Sequence, residues 1–337
     1  LKLENTMTLS GTLQMDEQST LDSGTLAFDG GIVSVNNNST ISSAITHAGS
    51  STFMIASGKR LTMKSDFTVP ASRKMSLTGS NGVLDLQNTL TLSGTLEFAV
   101  PQTLDNGTLA LNGGTLSVKD NVTISSAIVH SLDSTVDIYS GSTLTHSGGA
   151  LNIGAKTLTL SGGGTFANVD QLVLNNAGGE LEFSGDNITT VSHVKISSGD
   201  SSNAPTLKMS SNGVIQNLAH EEFSEINFAS GKTLSITEAF EVPAGKQMTI
   251  SGAAGTLSLG DNMVLAGTLN LPVANTTLSG GTVTLNGGTL QVDEDTNFIS
   301  DLAQQADSNI VVATGKNLNY SGNEFNVGAQ MLTLSGT

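Results

Sequence analysis

Short segments that alternate apolar and small polar residues recur about every seven residues along the chain. Typical segments are TLQM (12–15), IVSV (32–35), RLTM (60–63) and TLTL (89–92). A period of two places the apolar side chains on one face of a strand and the polar side chains on the other. Gly, Asn, Asp and Ser, which favour turns, separate the segments. The pattern predicts an all-β protein of short strands.

Three such strands take about 21 residues, and this spacing indicates how the strands are arranged. Short strands that return at a fixed interval are typical of a β-solenoid, in which each turn of the chain stacks on the previous turn. Strands of neighbouring turns then pair about 4.8 Å apart. We therefore predict a right-handed parallel β-helix of roughly 16 turns, about 75–80 Å long.

A longer repeat groups these turns in fours. TLDSGTLAFDGGIVSV (20–35) returns as TLDNGTLALNGGTLSV (103–118), and it returns again as TLSGGTVTLNGGTLQV (277–292). The alignment divides the chain into four copies, A, B, A′ and B′, which form a duplicated pair. Their approximate bounds are 1–83, 84–173, 174–256 and 257–337.

The first residues align with the interior of a later copy. LKLENTMTLSGTL (1–13) matches LDLQNTLTLSGTL (84–96), so Leu1 falls in the middle of a predicted strand. We expect one continuous β-solenoid over residues 1–337 that is an internal fragment of a longer chain. Consecutive copies are then expected to stack end to end, within one chain or between subunits.

The charge balance and the absence of cysteine narrow the classes of function. The chain has 13 Lys and Arg residues against 29 Asp and Glu residues, a net charge of −16, and no Cys. The composition therefore excludes disulfides and thiolate metal sites, and the acidic surface disfavours nucleic acid as a partner. No apolar run approaches the length of a membrane-spanning helix, so we expect no membrane insertion.

The histidines invite a catalytic interpretation, which the repeat argues against. His47, His130 and His220 occupy equivalent positions in the first three copies, and Gln304 takes this position in the fourth copy. A side chain that recurs from copy to copy and is replaced by Gln is typical of a corner residue that hydrogen-bonds a turn. We predict no catalytic residues, no cofactor and no enzymatic activity.

Two acidic residues are candidate calcium ligands. Asp293 and Asp295 flank Glu294, and calcium prefers several oxygen ligands. The equivalent segments Asn36–Asn38 and Lys119–Asn121 are not uniformly acidic. A solvated turn is therefore the alternative interpretation.

One polar segment has no counterpart in the other copies. SSGDSSNAP (197–205) accounts for about five residues that copy A′ has in excess of copy B. Insertions in solenoids form loops outside the stack and often carry contacts. The candidate partner-contact residues are Ser198, Asp200, Ser201 and Asn203, and the alternative is a tolerated surface insertion.

Pairs of threonine two residues apart suggest a further alternative. Thr89/Thr91, Thr143/Thr145 and Thr282/Thr284 are examples. A flat array of such pairs can order water or present hydroxyls, which would indicate an ice-binding or carbohydrate-binding solenoid. Thr is also simply a good outward-facing strand residue.

The strings LTLSGTLEF, GTLALNGGTLSV and AKTLTLSGGGTF resemble the Gly-Thr-Leu-rich turns of secreted bacterial adhesins. These adhesins are autotransporter passenger domains and filamentous-haemagglutinin-like exoproteins. The resemblance implies a right-handed β-helix, export to the cell surface or beyond, and surface glycans or host molecules as partners. We expect a non-enzymatic structural or adhesive rod, with a self-assembling filament subunit or a carbohydrate- or ice-binding solenoid as alternatives.

Overall fold

The computed structural model describes residues 1–336, and every regular element within them is a β-strand. The chain divides into two compact units, one formed by Leu1–Leu151 with Leu158–Asp170 and the other by Asn152–Thr157 with the residues from Gln171 onwards. Among the described residues, no helix is long and apolar enough to cross a membrane.

The strands are two to eight residues long. The first eleven are β1 (Thr6–Leu9), β2 (Thr12–Met15), β3 (Thr20–Leu21), β4 (Thr25–Phe28), β5 (Ile32–Val35), β6 (Ser39–Ile41), β7 (Ala44–His47), β8 (Ser51–Ile55), β9 (Arg60–Met63), β10 (Phe67–Val69) and β11 (Lys74–Thr78). The next are β12 (Gly82–Leu86), β13 (Thr89–Leu92), β14 (Thr95–Phe98), β15 (Gln102–Asp105), β16 (Thr108–Asn112), β17 (Thr115–Val118), β18 (Val122–Ile124), β19 (Ala127–Leu132), β20 (Ser134–Ile138), β21 (Thr143–His146) and β22 (Leu151–Asn152).

The remaining strands continue the same pattern. They begin with β23 (Thr157–Ser161), β24 (Thr165–Asn168), β25 (Leu172–Leu174), β26 (Glu180–Phe183), β27 (Thr189–Ile196), β28 (Thr206–Met209), β29 (Gly213–His220), β30 (Ser224–Phe228), β31 (Thr233–Ile236), β32 (Phe240–Val242) and β33 (Gln247–Gly252). They end with β34 (Thr256–Leu259), β35 (Asn262–Leu265), β36 (Thr268–Leu271), β37 (Thr276–Ser279), β38 (Thr282–Asn286), β39 (Thr289–Val292), β40 (Thr296–Phe298), β41 (Asp301–Ala306), β42 (Ser308–Val312), β43 (Leu318–Tyr320) and β44 (Leu332–Gly336).

Strands pair in parallel with the strand one turn further along the chain. In the first unit Leu96 of β14 pairs with Leu116 of β17, which pairs with Val136 of β20. The sheet that contains β14, β17 and β20 has one strand from each turn. In the first unit it has eight strands, which begin with β2 and end with β23, and in the second unit it has eight strands, which begin with β26 and end with β44. The prediction of an all-β parallel β-solenoid with three sheets and about 16 turns is confirmed.

Inside each unit, the apolar residues of most alternating segments point into the stack. Leu96, Leu116 and Phe98 are fully buried, whereas the intervening side chains are partly exposed. The core is largely aliphatic, and its largest fully buried side chains are phenylalanines: Phe28, Phe53, Phe98, Phe166, Phe183, Phe228 and Phe298. This alternation is the direct reason why the sequence period of two predicts the strands correctly.

Every fourth turn is longer than its neighbours. Asp137 pairs with Ser161, which lies 24 residues further along the chain and donates a hydrogen bond to Oδ1 of Asp137. Most other turns are shorter, as from Thr95 to Thr115. A longer turn in each group of four explains why the repeat spans four turns. Near the start of each longer turn lies a glycine with positive φ, a conformation that few other residues adopt: Gly58, Gly141, Gly231 and Gly315.

Candidate functional site

The longer turns interrupt the third sheet. In the first unit one sheet holds β1, β4 and β7, and a separate sheet holds β10, β13, β16 and β19. In the second unit a sheet of the same kind holds β32, β35, β38 and β41. His47 is the last residue of β7, His130 lies in β19, and Gln304 lies in β41. The recurring histidine position therefore marks the end of a sheet.

The side chains at this position bond to the chain just beyond the break. Nε2 of His47 lies 3.0 Å from Oγ of Ser51, and Nε2 of His220 lies 2.7 Å from Oγ of Ser224. In the fourth copy Nε2 of Gln304 donates to the carbonyl oxygens of Ala306 at 3.1 Å and of Met331 at 2.9 Å. These contacts agree with the predicted structural role, since Gln304 also hydrogen-bonds the chain from this position. A contact between histidine and serine does not by itself make the serine a nucleophile.

Burial disfavours the charged form of the imidazoles of His47 and His220. It lowers the pKa of His220 to about 4, because the ring is 4% exposed and its charged form would lose hydration. Burial also lowers the pKa of His47, although the backbone of Thr68 acts in the opposite direction. The ring of His47 stacks on Phe28 with a centroid distance of 5.3 Å. Phe28 is also the strand partner of His47, and in the second unit Ile196 is the strand partner of His220.

A cleft of about 420 Å³ opens in the first unit at the break between β7 and β10. Its apolar wall consists of Ile45, His47, Phe67 and Pro70. The polar side chains around it are Thr46, Asp66, Thr68 and Thr91. Oδ1 of Asp66 accepts a hydrogen bond from the backbone N–H of Thr89 at 2.8 Å, which fixes the carboxylate in place. The cleft combines an apolar wall with hydroxyls and one acid.

The candidate calcium ligands have structural partners. Oδ1 of Asp295 accepts the backbone N–H of Asn317 at 2.8 Å, on the next turn. The equivalent Asn38, Asn121 and Asn212 accept the backbone N–H groups of Arg60, Thr143 and Thr233 in the same way. Asp293 accepts a hydrogen bond from Gln291. Within residues 1–336 no group of three or more His, Asp or Glu residues could hold a metal ion, and the calcium site stays a prediction.

The candidate contact loop lies between β27 and β28 and is held by its own hydrogen bonds. Oδ1 of Asp200 accepts the backbone N–H of Ser202 at 2.8 Å and of Asn203 at 3.0 Å, and the hydroxyl of Ser202 at 2.6 Å. These bonds lower the pKa of Asp200. Asp200, Ser201 and Asn203 are exposed and Ser198 is half-buried. The loop presents polar groups to solvent, but its contact role stays a prediction.

The threonine pairs do not build one flat array. Thr89 and Thr91 stack on Thr108 and Ala110, and Thr282 and Thr284 stack on Asp301 and Ala303. One row of threonines does form in the first unit, where Thr95, Thr115, Thr135 and Thr159 pair in succession after Lys74. Rows this short and this mixed give little support to the ice-binding alternative.

Charged side chains join neighbouring turns. Arg60 lies 3.2 Å from Asp85 and 2.9 Å from Asp105. Lys74 and Lys119 lie 3.1 and 2.7 Å from Glu97. Burial acts to raise the pKa of Glu97, but the hydrogen bonds and charges of the two lysines outweigh it and lower that pKa. The carboxylates in these groups form ion pairs with Arg60, Lys74 and Lys119 on neighbouring turns and do not converge on a pocket.

These features define the class of protein as a parallel β-solenoid built from repeats. No protein-family model, curated protein or solved structure matches the chain. The adhesin resemblance therefore has no match that supports it, and the fold is the level at which the chain is classified.

The cleft residues are the part of the site that the sequence analysis missed. The sequence did contain a signal for these residues. When residues 57–75 are aligned with residues 230–248, Asp66 aligns with Ala239 and Thr68 aligns with Glu241. Equivalent positions that differ in chemistry within one fold indicate residues that the fold itself does not require.

Proposed function

We propose that the chain is a non-enzymatic structural or adhesive rod segment of a secreted or cell-surface protein. The observation that carries this proposal is the stacked architecture of each unit, with eight parallel turns around an apolar core. Each added turn repeats the same backbone hydrogen bonds and the same section of core. Such a fold gains length and stiffness with every repeat, which suits a spacer or a display surface.

The distribution of charge supports this proposal. The net charge of −16 opposes lateral association of such rods. The ion pairs around Arg60 and Glu97 link one turn to the next, where they resist separation of the turns. Location outside the cell and attachment to surfaces rest on the adhesin resemblance alone. Antibody labelling of intact source cells is expected to detect the protein at the surface, and labelling only after lysis would contradict this location.

Small-angle scattering tests the rod directly. A rod of this chain is expected to have a longest dimension of about 75–80 Å. A compact globule of the same length has a radius of gyration of about 20 Å and a longest dimension of about 50 Å. A distance distribution that ends near the smaller value would contradict the proposal.

End-to-end association is a second candidate function. Strand β44 pairs with β42, and its Leu334 is 70% exposed. Strands one turn apart pair in parallel throughout each unit, and we propose that copies of the chain associate in the same way, through β44 of one copy and β2 of a second copy. Sedimentation at rising concentration is expected to show assembly in the wild type and its loss in Leu334→Lys. Sedimentation as a monomer at every concentration would contradict this candidate.

A further inference from the structure

The cleft between β7 and β10 is the feature of the first unit that the rod function does not use. It lies where the third sheet is interrupted, between β7 and β10, which do not pair with each other, and Thr91 of β13 also lines it. Its volume of about 420 Å³ falls within the range of small-molecule sites. The interruption therefore provides a concave site in the first unit.

The lining of the cleft indicates the chemistry of a ligand. The apolar wall contains the half-buried imidazole of His47 and the ring of Pro70, together with the buried Ile45 and Phe67. The polar part of the lining contains Thr46, Thr68 and Thr91, which carry hydroxyls, and Asp66, which carries a carboxylate. Thr68 and Thr91 are direct partners on neighbouring strands, so their hydroxyls point out of the same face. The lining contains one acid and no Lys or Arg.

We propose that this cleft binds a neutral sugar residue. A pyranose ring has an apolar face of C–H groups and an edge of hydroxyls, which match the apolar wall and the threonine and aspartate groups. A carboxylate or phosphate on the ligand would be repelled by Asp66, and no Lys or Arg in the lining would compensate. The proposal goes beyond the rod function and stands independently of it.

The second unit supplies an internal comparison. The same backbone positions carry Ala219, Ala239, Glu241 and Val264 where the first unit has Thr46, Asp66, Thr68 and Thr91. The strands β32 and β35 pair there just as β10 and β13 do. The fold therefore tolerates Ala and Val at these positions and does not require the hydroxyls. Three hydroxyls and one acid around a single opening are then best explained by a ligand.

Nuclear magnetic resonance of the histidine side chains tests the proposal on the intact chain. The probes are the methyl glycosides of glucose, galactose, mannose and N-acetylglucosamine, with glucuronate as the anionic comparison. We expect a saturable shift of the His47 signals with at least one neutral glycoside, at a Kd of about 1 mM. The His220 signals serve as the internal control and are expected to stay unchanged. A linear trisaccharide of the glycoside that binds is then titrated in the same way. Binding of the trisaccharide shows that the cleft accepts a sugar residue within a glycan chain, and its failure to bind shows that the cleft accepts only the free sugar.

The matched variants exchange one position between the units. Thr68→Glu installs the side chain found at Glu241 and is expected to fold, since the second unit accepts Glu on the same strand. It should weaken binding about tenfold or more, through the loss of one hydroxyl contact and the added charge. Glu241→Thr is expected to leave binding at His47 unchanged. The proposal is overturned if no neutral glycoside gives a saturable shift, if glucuronate binds as tightly, or if folded Thr68→Glu binds like the wild type.

Discussion

The two units contain the same sheet interruption, but the burial of the histidine and the side chains beside it differ between them. In the first unit His47 is half-buried and borders an open cleft with Asp66 and Thr68 beside it. In the second unit His220 is 4% exposed, and Ala239 and Glu241 occupy the corresponding positions. The histidine and its serine partner are common to both units. The comparison separates the residues that build the interruption from those that could give it a chemical function.

The contacts below the histidine follow the same division. Phe28 is fully buried and lies 5.3 Å from the His47 ring and 5.2 Å from the Phe53 ring, between centroids. Ile196 pairs with His220 in the second unit. An aromatic residue stacks on the half-buried His47, and an aliphatic residue is the strand partner of the buried His220.

The largest effect is expected from removing that aromatic support. Phe28→Ala should lower the free energy of unfolding of the first unit by about 3–5 kcal/mol, because the substitution leaves a cavity between His47 and Phe53. Urea unfolding followed by hydrogen exchange of each unit measures the loss. Ile196→Val in the second unit is the smaller matched change, with an expected cost of about 0.5–1.5 kcal/mol. If Phe28→Ala costs no more than Ile196→Val, the aromatic stack does not support the cleft.

The second effect concerns pH and the deeper burial of His220. Its pKa is about 4 in the folded protein and 6.5 in the unfolded chain. Above pH 6.5 neither state is protonated there, so the group contributes nothing. As the pH falls from 6.5 to 4 the unfolded chain binds a proton that the folded protein does not, and stability falls by about 3 kcal/mol in total.

His220→Gln is the variant that isolates this contribution, because Gln304 already fills the position in the fourth copy. The free energy of unfolding, measured from pH 7 to pH 4, should decline less steeply in this variant than in the wild type. The carboxylates are common to both proteins and cancel in the difference. His47→Gln should change the slope less, since His47 is less buried. Equal slopes in wild type and His220→Gln would contradict the assigned pKa.

The sequence predicted the stack well because its core positions repeat with a period of two and its turns with a period near 21. The repeat also predicted that His47 and His220 occupy equivalent positions, and in both copies the ring contacts a serine four residues further along the chain. It could not reveal the cleft, because the interruption of the third sheet by the longer turns is evident only from which strands pair. Nor could it show that Asp295 bonds to the next turn, because the partner Asn317 lies 22 residues away.

A third, smaller effect tests whether Asp295 has the same role as its equivalents. Asp295→Ala should cost about 1 kcal/mol, because it removes a hydrogen bond to the backbone of the next turn. Asp295→Asn should stay within about 0.5 kcal/mol of wild type, because Asn38, Asn121 and Asn212 perform the same role in the other copies. Thermal unfolding with and without calcium separates the two interpretations. A calcium-dependent rise in Tm in the wild type that Asp295→Asn abolishes would establish the metal site.

The smallest effect on stability is expected at the loop between β27 and β28. Replacing Asp200, Ser201 and Asn203 by glycine removes an exposed set of hydrogen bonds within the loop and leaves the core strands β26 and β28 paired. The unfolding midpoint should therefore hardly change. If the loop carries partner contacts, this variant loses attachment to surfaces while Thr68→Glu retains it. Full attachment by the glycine variant would show that the loop is only a tolerated insertion, and Thr68→Glu would then test whether the cleft carries the attachment.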